Sequence, residues 1–347
     1  MAQIIKTKDY NIYIEPGLTA KIGTYLSAFA GHKVCIISDS NVAALYEDKL
    51  AGILQESNLE PQIIIVPAGE SSKSLSMLQQ LYEQMAQLCL SRTDLVLAFG
   101  GGVIGDLAGL AAATYMRGLG LVQMPTTLLA QVDSSVGGKV AVDLPQGKNL
   151  VGTFYNPDAV FIDSDFLHTL DARQKAAGMA EIIKYACIKD RAMFEQLQKG
   201  PKAQNIDDLI ARCVKIKKNY VEQDPLDKGR RAELNFGHTL AHAIEKAAAY
   251  SGILHGEAVS IGMVAAARLS EEMLLAPIGT ADAITKLLIQ YDLPVSLPPL
   301  NPTILSEAML LDKKGAGVLV LLEDIGQAVI KQVDTDKLAD LPQGVTL

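Results

Sequence analysis

Three of the five histidines in this chain fall between positions 238 and 255, with a spacing that suits a bound cation. His238 and His242 stand four apart in NFGHTLAHAIE, which puts both imidazoles on one face of a helix. His255 opens the next apolar helical stretch, LHGEAVSIGM, and packing of the two helices would bring all three rings together. Glu181 lies on an apolar helical segment, GMAEIIKYA, three residues before Lys184, where a charged carboxylate needs a partner. Neutral imidazoles plus one carboxylate suit a divalent ion, Zn2+ first and Co2+ second, with a coordination position left for substrate. No HExxH occurs, so the zinc-protease reading fails. Spacing leaves open which three of the four groups coordinate, and each histidine taken singly is equally a hydrogen-bonded structural residue.

A second set of residues suits anions. LVLAFGGGVIGDLAG places Gly100, Gly102 and Gly105 in GxGxxG register between a strand and a helix. There the backbone can approach a pyrophosphate, and the helix N-terminus offers unpaired N–H groups and a favourable dipole. The usual acid about 20 residues further on is missing, and Asp39 and Asn41, past an earlier strand, are candidates to hold a ribose instead. The alternative is a tight turn with no ligand, Asp106 serving only the helix dipole. Lys139 in GGK and Lys148 in GKN read as lysines on flexible polar loops, suited to phosphate as point charges or simply solvated. Neither has Walker A spacing, which removes the main support for ATP hydrolysis. Glu70 and Lys73, in PAGESSKS, are ligand contacts or helix-start residues. Arg230, Arg231 and Asn235, with Lys217 about four turns earlier, form a candidate anion site. Asn235 is equally a helix cap and the arginines equally surface charges. Asp224 and Asp227 are general-base candidates or turn residues.

These groups need a scaffold. Strand-like runs at Lys33–Ser38, Gln62–Val66, Leu95–Phe99 and Leu121–Met124 alternate with helical periods at Asn41–Gln55, at Ser74–Leu90 and from the glycine turn to about Met116. That alternation predicts βαβ units and a parallel sheet, preceded by a hairpin over Gln3–Lys6 and Tyr10–Ile14. From Asp171 helices dominate, at Ala172–Lys189, Asp207–Gln223, Leu234–Ala249, Gly256–Met273 and Ala281–Tyr291, with a late hairpin at Val318–Leu322 and Ala328–Lys331. The expected architecture is an α/β nucleotide-binding domain over 1–170 and a mainly helical domain over 171–347. The cleft between them is the default active-site location.

Composition narrows the class. A length of 347 residues favours two domains, and 49% hydrophobic against 20% charged residues is a globular balance. A net charge of −8 without a basic block argues against nucleic-acid binding. Cys35, Cys89, Cys187 and Cys213 form no CxxC and read as buried free thiols of a reducing compartment. The N-terminus alternates like a strand rather than a signal peptide, and no apolar run reaches the roughly 20 residues of a membrane span. A soluble cytoplasmic protein is expected.

Taken together, PAGESSKS, FGGGVIGDLAG, AATYMRG, MPTTLLAQVDSSVGGKVAVDLPQGKNLVGTFYNP, GMAEIIKY, LNFGHTLAHAIE, LHGEAVSIGM and MLLDKK resemble the 3-dehydroquinate synthase family, in order, from about Ser38 to Lys314. The GGK…GKN block and the GHT…H…HGE block are specific together. The resemblance implies the dehydroquinate synthase-like fold, NAD in the N-terminal half, and zinc held by Glu181, His238 and His255. That leaves His242 as an acid/base residue. It further implies cofactor contacts at Glu70, Lys73, Gly101, Gly102, Val103, Ile104, Gly105, Asp106, Thr126, Thr127, Lys139, Lys148, Phe166, Leu167, His168 and Thr169. Substrate contacts fall on Asn149, Lys217, Arg231, Asn235, His255 and Lys314. Arg117 reaches the partner subunit's site in a homodimer, and with Lys139, His242 and Asp227 it completes the catalytic set. Asp227 stands where the family commonly has Glu, one methylene longer, as proton acceptor. The implied reaction is conversion of a heptulosonate phosphate to 3-dehydroquinate and phosphate. The competing expectations are a sister sugar-phosphate cyclase, a metal-dependent NAD(P) alcohol dehydrogenase, and a non-catalytic metabolite sensor.

Overall fold

The computed structural model describes residues 2–249, 251–301, 304–305, 308–309, 317–334 and 341–345. Lys314 lies outside them. The chain forms two compact units, Met1–Leu170 with Ile210–Lys218, and Asp171–Leu209 with Asn219–Leu347.

In the first unit β1 (Gln3–Lys6) and β2 (Asn11–Ile14) pair antiparallel. Next come α1 (Ile22–Tyr25), β3 (Lys33–Asp39), α2 (Ser40–Glu56), β4 (Glu60–Val66), α3 (Leu75–Gln87), β5 (Leu95–Gly100), α4 (Gly102–Thr114) and β6 (Gly120–Pro125). A separate hairpin, β7 (Lys139–Leu144) and β8 (Gly147–Phe154), precedes β9 (Ala159–Ile162). The seven-stranded sheet runs β1-β2-β9-β6-β5-β3-β4, parallel throughout except for β1–β2. Strand β3 shows why KVCIIS is an unbroken apolar run: both faces are covered. Cys35 and Ile37 join the core beneath α3 and α4, while Val34 and Ile36 join the one that includes Leu50 and Leu54 of α2. Chain order reverses at β3, which lies between β4 and β5. The ends of β3 and β5, Asp39 and Gly100, therefore flank the sheet's switch point, where such folds bind ligands.

The second unit holds α5 (Ala172–Lys189), α6 (Arg191–Leu197), the two ends of α7 (Ile206–Gln223), α8 (His238–Ala247), α9 (His255–Glu272) and α10 (Thr280–Gln290). It also holds the hairpin β10 (Val318–Asp324) and β11 (Gln327–Gln332). Helix α9 is central: Ala258–Ala267 is buried throughout and packs on α5, α8, α10 and β10. Its small residues let the neighbours approach.

The expected α/β half followed by a helical half is what the chain builds. Several local readings need correction. The GGK and GKN lysines do not sit on loops: Lys139 opens β7 and Lys148 lies in β8, with Lys139 opposite Phe154. The helix expected from Leu234 begins at His238, because Gly237 has φ +80° and Arg230–Asn235 forms a 3-10 turn. Asn235 is accordingly not its cap. Cys89 is exposed, whereas Cys35, Cys187 and Cys213 are buried as expected. Strand β9 and helix α6 were not anticipated; each is too short to show a period.

Candidate metal and nucleotide sites

Glu181 on α5, His238 on α8 and His255 on α9 converge in the second unit, each offering a ligand atom within 4.8 Å of the others. The Nε2 atoms of His238 and His255 lie 3.7 and 3.4 Å from the same Glu181 oxygen. Close backbone contacts make this possible. A Cβ on Gly256 would stand 2.0 Å from the carbonyl oxygen of Ala177, so only glycine lets the start of α9 reach α5 one turn before Glu181. Gly237, in the left-handed region, brings the start of α8 onto α9 against Met263 and Gly262. Each histidine is the first residue of its helix. The first turn of α9 is held by Glu257, which accepts from Leu254 N at 2.8 Å and is gripped by Arg173 from α5 at 2.6 and 2.7 Å.

Glu181 is 1% exposed and ion-paired with the equally buried Lys184, yet neither carboxylate oxygen accepts a hydrogen bond of normal geometry. Burial, aided by the Lys184 charge, pushes the His238 pKa well below 6.5. Burial also opposes charge on His255, but the carboxylates of Glu181 and Glu245 outweigh it and raise that pKa to about 10. A buried carboxylate short of partners beside two imidazoles fits a divalent metal. His242 contributes no ligand atom to the cluster; it is exposed, its ring edge-on to His238 with centroids 5.7 Å apart.

Arg231 is buried, donating from Nη1 to Pro225 O at 3.1 Å and from its backbone N–H to Asp224. Asp227 has φ +55°, and Asn235 is exposed. Asp224 accepts from the N–H groups of Lys228, Gly229 and Arg231, which makes it a turn-former rather than a poised base.

In the first unit the structure gathers Glu70, Lys73, Asp106, Lys148 and Asn149. Lys73 is 5% exposed, reaches Asp106 at 2.6 Å and bonds the Asn149 side-chain oxygen; Lys148 reaches Glu70 at 3.2 Å. Burial raises the Asp106 pKa against the pull of Lys73. Beside this group α4 follows the N-cap residue Gly101, which offers no side-chain cap, and Gly105 lies so close to Gln123 that a Cβ would come within 2.9 Å of its oxygen. Thr126 has a buried hydroxyl without a hydrogen-bond partner, whereas that of Thr127 accepts from Ala130 N. The Asp39 carboxylate caps α2 through Asn41 and Val42 N–H. The Phe166 side chain belongs to the core against Tyr46 and Phe99, and that of Leu167 is also buried. His168 is exposed and Thr169 bonds Tyr46. Arg117 is exposed on a turn where it and Met116 both have positive φ, and Lys139 is exposed at the start of its strand.

Three residues were not foreseen as members of a site. Asp133, in a π-helical turn over Ala130–Ser134, pairs with Lys217, whose ammonium also donates to Asp133 O at 2.7 Å. Lys184 faces Glu181, and Glu245 faces His255. The three-residue step from Glu181 to Lys184 and the acid ending NFGHTLAHAIE were the only signals available.

Family models for the 3-dehydroquinate synthase N-terminal and C-terminal regions match residues 63–177 and 178–315. A 3-dehydroquinate synthase of Clostridium kluyveri is 44% identical over 337 residues, covering 95% of this chain and 94% of the relative. A crystal structure of 2-deoxy-scyllo-inosose synthase with carbaglucose-6-phosphate, NAD+ and Co2+ superposes with a TM-score of 0.89 at 29% identity, covering 99% of this chain and 100% of the other. A 2-epi-5-epi-valiolone synthase from Streptomyces hygroscopicus with NAD+ and Zn2+ bound gives 0.88 at 28% identity, covering 99% and 98%.

Proposed function

Because the chain belongs to the 3-dehydroquinate synthase family, we propose that it holds a divalent metal on Glu181, His238 and His255 and NAD at the β5–α4 turn. Its reaction is that of the family, a phosphorus–oxygen lyase step of the shikimate pathway. It converts 3-deoxy-D-arabino-heptulosonate 7-phosphate to 3-dehydroquinate and phosphate. When bound, NAD would supply a reversible hydride acceptor for the C5 carbinol, which would acidify the neighbouring C6 proton and let phosphate leave from C7, and the metal would supply Lewis acidity toward substrate oxygens.

The chain's own groups do the rest. The N–H groups of Gly102, Val103 and Ile104, in the first turn of α4, and the ammonium of Lys148 receive the pyrophosphate of the dinucleotide. Asp39, at the end of β3, stands where a ribose hydroxyl would be held. Lys73 and Asp106 form a buried ion pair that fixes the floor of that site, and Asn149 is oriented by Lys73. Lys139, Lys217 and Arg231 supply positive charge to the carboxylate and phosphate of the sugar acid. His242, exposed beside His238, exchanges a proton with substrate oxygen. Asp227 is the proton acceptor despite its shorter side chain. A cytoplasmic homodimer in which Arg117 serves the partner subunit's site completes the reading; four cysteines that form no disulfide and an exposed Arg117 support it.

The observation that carries this reading is the convergence of one buried, under-satisfied carboxylate with two imidazoles. The sister cyclases share the fold at 28–29% identity, whereas the Clostridium kluyveri synthase reaches 44%, which favours the heptulosonate over other sugar phosphates. Zinc-loaded protein with catalytic NAD+ should release phosphate and 3-dehydroquinate in equal amounts from the heptulosonate phosphate, with no build-up of NADH. Turnover of sedoheptulose 7-phosphate in its place would assign a sister activity, and NADH accumulation would assign a dehydrogenase.

A further inference from the structure

Behind the triad lies a carboxylate that the reaction does not use. Glu245 is on α8, seven residues after His238, in a helix whose other buried residues are Leu240, Ala241, Ala243 and Ile244. It is 3% exposed, and its Oε1 lies 3.3 Å from Nδ1 of His255. The two nitrogens of an imidazole point away from each other, and the other one, Nε2, faces Glu181 at 3.4 Å. Glu245 therefore stands on the far side of the ring from the triad and outside its set of ligand atoms. His238 is arranged the same way: its Nδ1 lies 3.2 Å from Phe236 O while Nε2 faces Glu181. Both rings thus have an oxygen acceptor at Nδ1, so that with a metal on the Nε2 side the proton is held on Nδ1 and the Nε2 lone pair faces the ion. For His238 that acceptor is a neutral carbonyl. For His255 it is a buried carboxylate, whose desolvation is costly without a compensating role.

We propose that Glu245 is a positioning residue, which takes the Nδ1 proton of His255 in a hydrogen bond and so presents the Nε2 lone pair to the metal. The inference rests on His255 being a metal ligand. A charged acceptor polarises the imidazole more than a carbonyl does, so His255 is the more basic of the two nitrogen ligands, and the tightness of the site depends on an acid that never touches the ion.

The test is zinc affinity, measured by chelator competition on the full-length protein and on Glu245→Ala and Glu245→Gln. Loss of the carboxylate should weaken zinc binding roughly 10- to 100-fold in Glu245→Ala. Glu245→Gln, which keeps an oxygen but no charge, should fall in between. NAD affinity should be unchanged in both. In zinc-loaded protein carrying 15N-histidine, Nδ1 of His255 should be protonated and its resonance should move in Glu245→Gln. Should Glu245→Ala fail to fold, the isosteric Gln variant alone decides. Unsubstituted protein that binds zinc, with variants that bind it equally well, would overturn the role of Glu245 and leave the metal assignment standing. Unsubstituted protein that binds no zinc would overturn both.

Discussion

Lysine 73 illustrates how much a single side chain does in this molecule. Its ammonium is buried against Asp106 and Asn149, so its removal strands a carboxylate as well as altering the nucleotide site. Lys73→Met should weaken NAD binding and cost about 1–3 kcal/mol of stability. Adding Asp106→Asn should recover much of the stability and none of the NAD affinity, as calorimetry and urea titration would show. Asp94 serves the fold alone. It accepts from Ser91 N and Oγ and from Lys33 N, pinning the turn before β5 to the start of β3. Burial alone would raise its pKa, but those donors outweigh it and hold it below the ordinary 3.8. A depressed carboxylate contributes stability above its unfolded pKa and loses it as pH falls through the folded value. Asp94→Asn should therefore cost about 1.5–3 kcal/mol at pH 7, with the gap closing in acid; equal stability of the two proteins at neutral pH would contradict this. Residue types alone pointed to Glu181, His238 and His255. They did not reveal Asp133 or Glu245, because neither stands in an apolar run as Glu181 does and their partners, Lys217 and His255, are met only on folding.

Elements place these groups, and here glycines matter more than propensities. The start of α9 touches α5 at Gly256, where any side chain would meet the carbonyl oxygen of Ala177. Gly256→Ala should force the two helices apart, costing about 1–3 kcal/mol. It should also lower zinc affinity while NAD binding persists, and metal analysis after gel filtration would show both. The helical period across 234–249 was legible, but the true start of α8 was not, since it depends on the positive φ of Gly237 as that residue meets α9. The lysines of GGK and GKN looked like loop residues because glycine and polar residues dominate there. Pairing of β7 with β8 against α4 overrides that local preference.

At the scale of the whole chain, the proposed metal ligands belong to one unit and the proposed nucleotide-binding residues to the other, so their binding energies should be separable. Zinc at 100 times its dissociation constant should add about 2.7 kcal/mol to the stability of the state that binds it. Glu181→Gln should abolish the zinc-induced rise in melting temperature and keep the rise that NAD produces; loss of both shifts would mean that the sites are not independent. Alternation of strands and helices, the glycine turn and the histidine spacing were all readable in the sequence alone, because they are periodic or local and each depends on residues within one or two turns. The strand order with its switch point, the approach of α5, α8 and α9 around one carboxylate, and the partners of Lys73 and Lys217 were settled only on folding. Those contacts join positions far apart in the chain, and the backbone encounters that permit them, such as Gly256 on Ala177, leave no pattern in the order of residues.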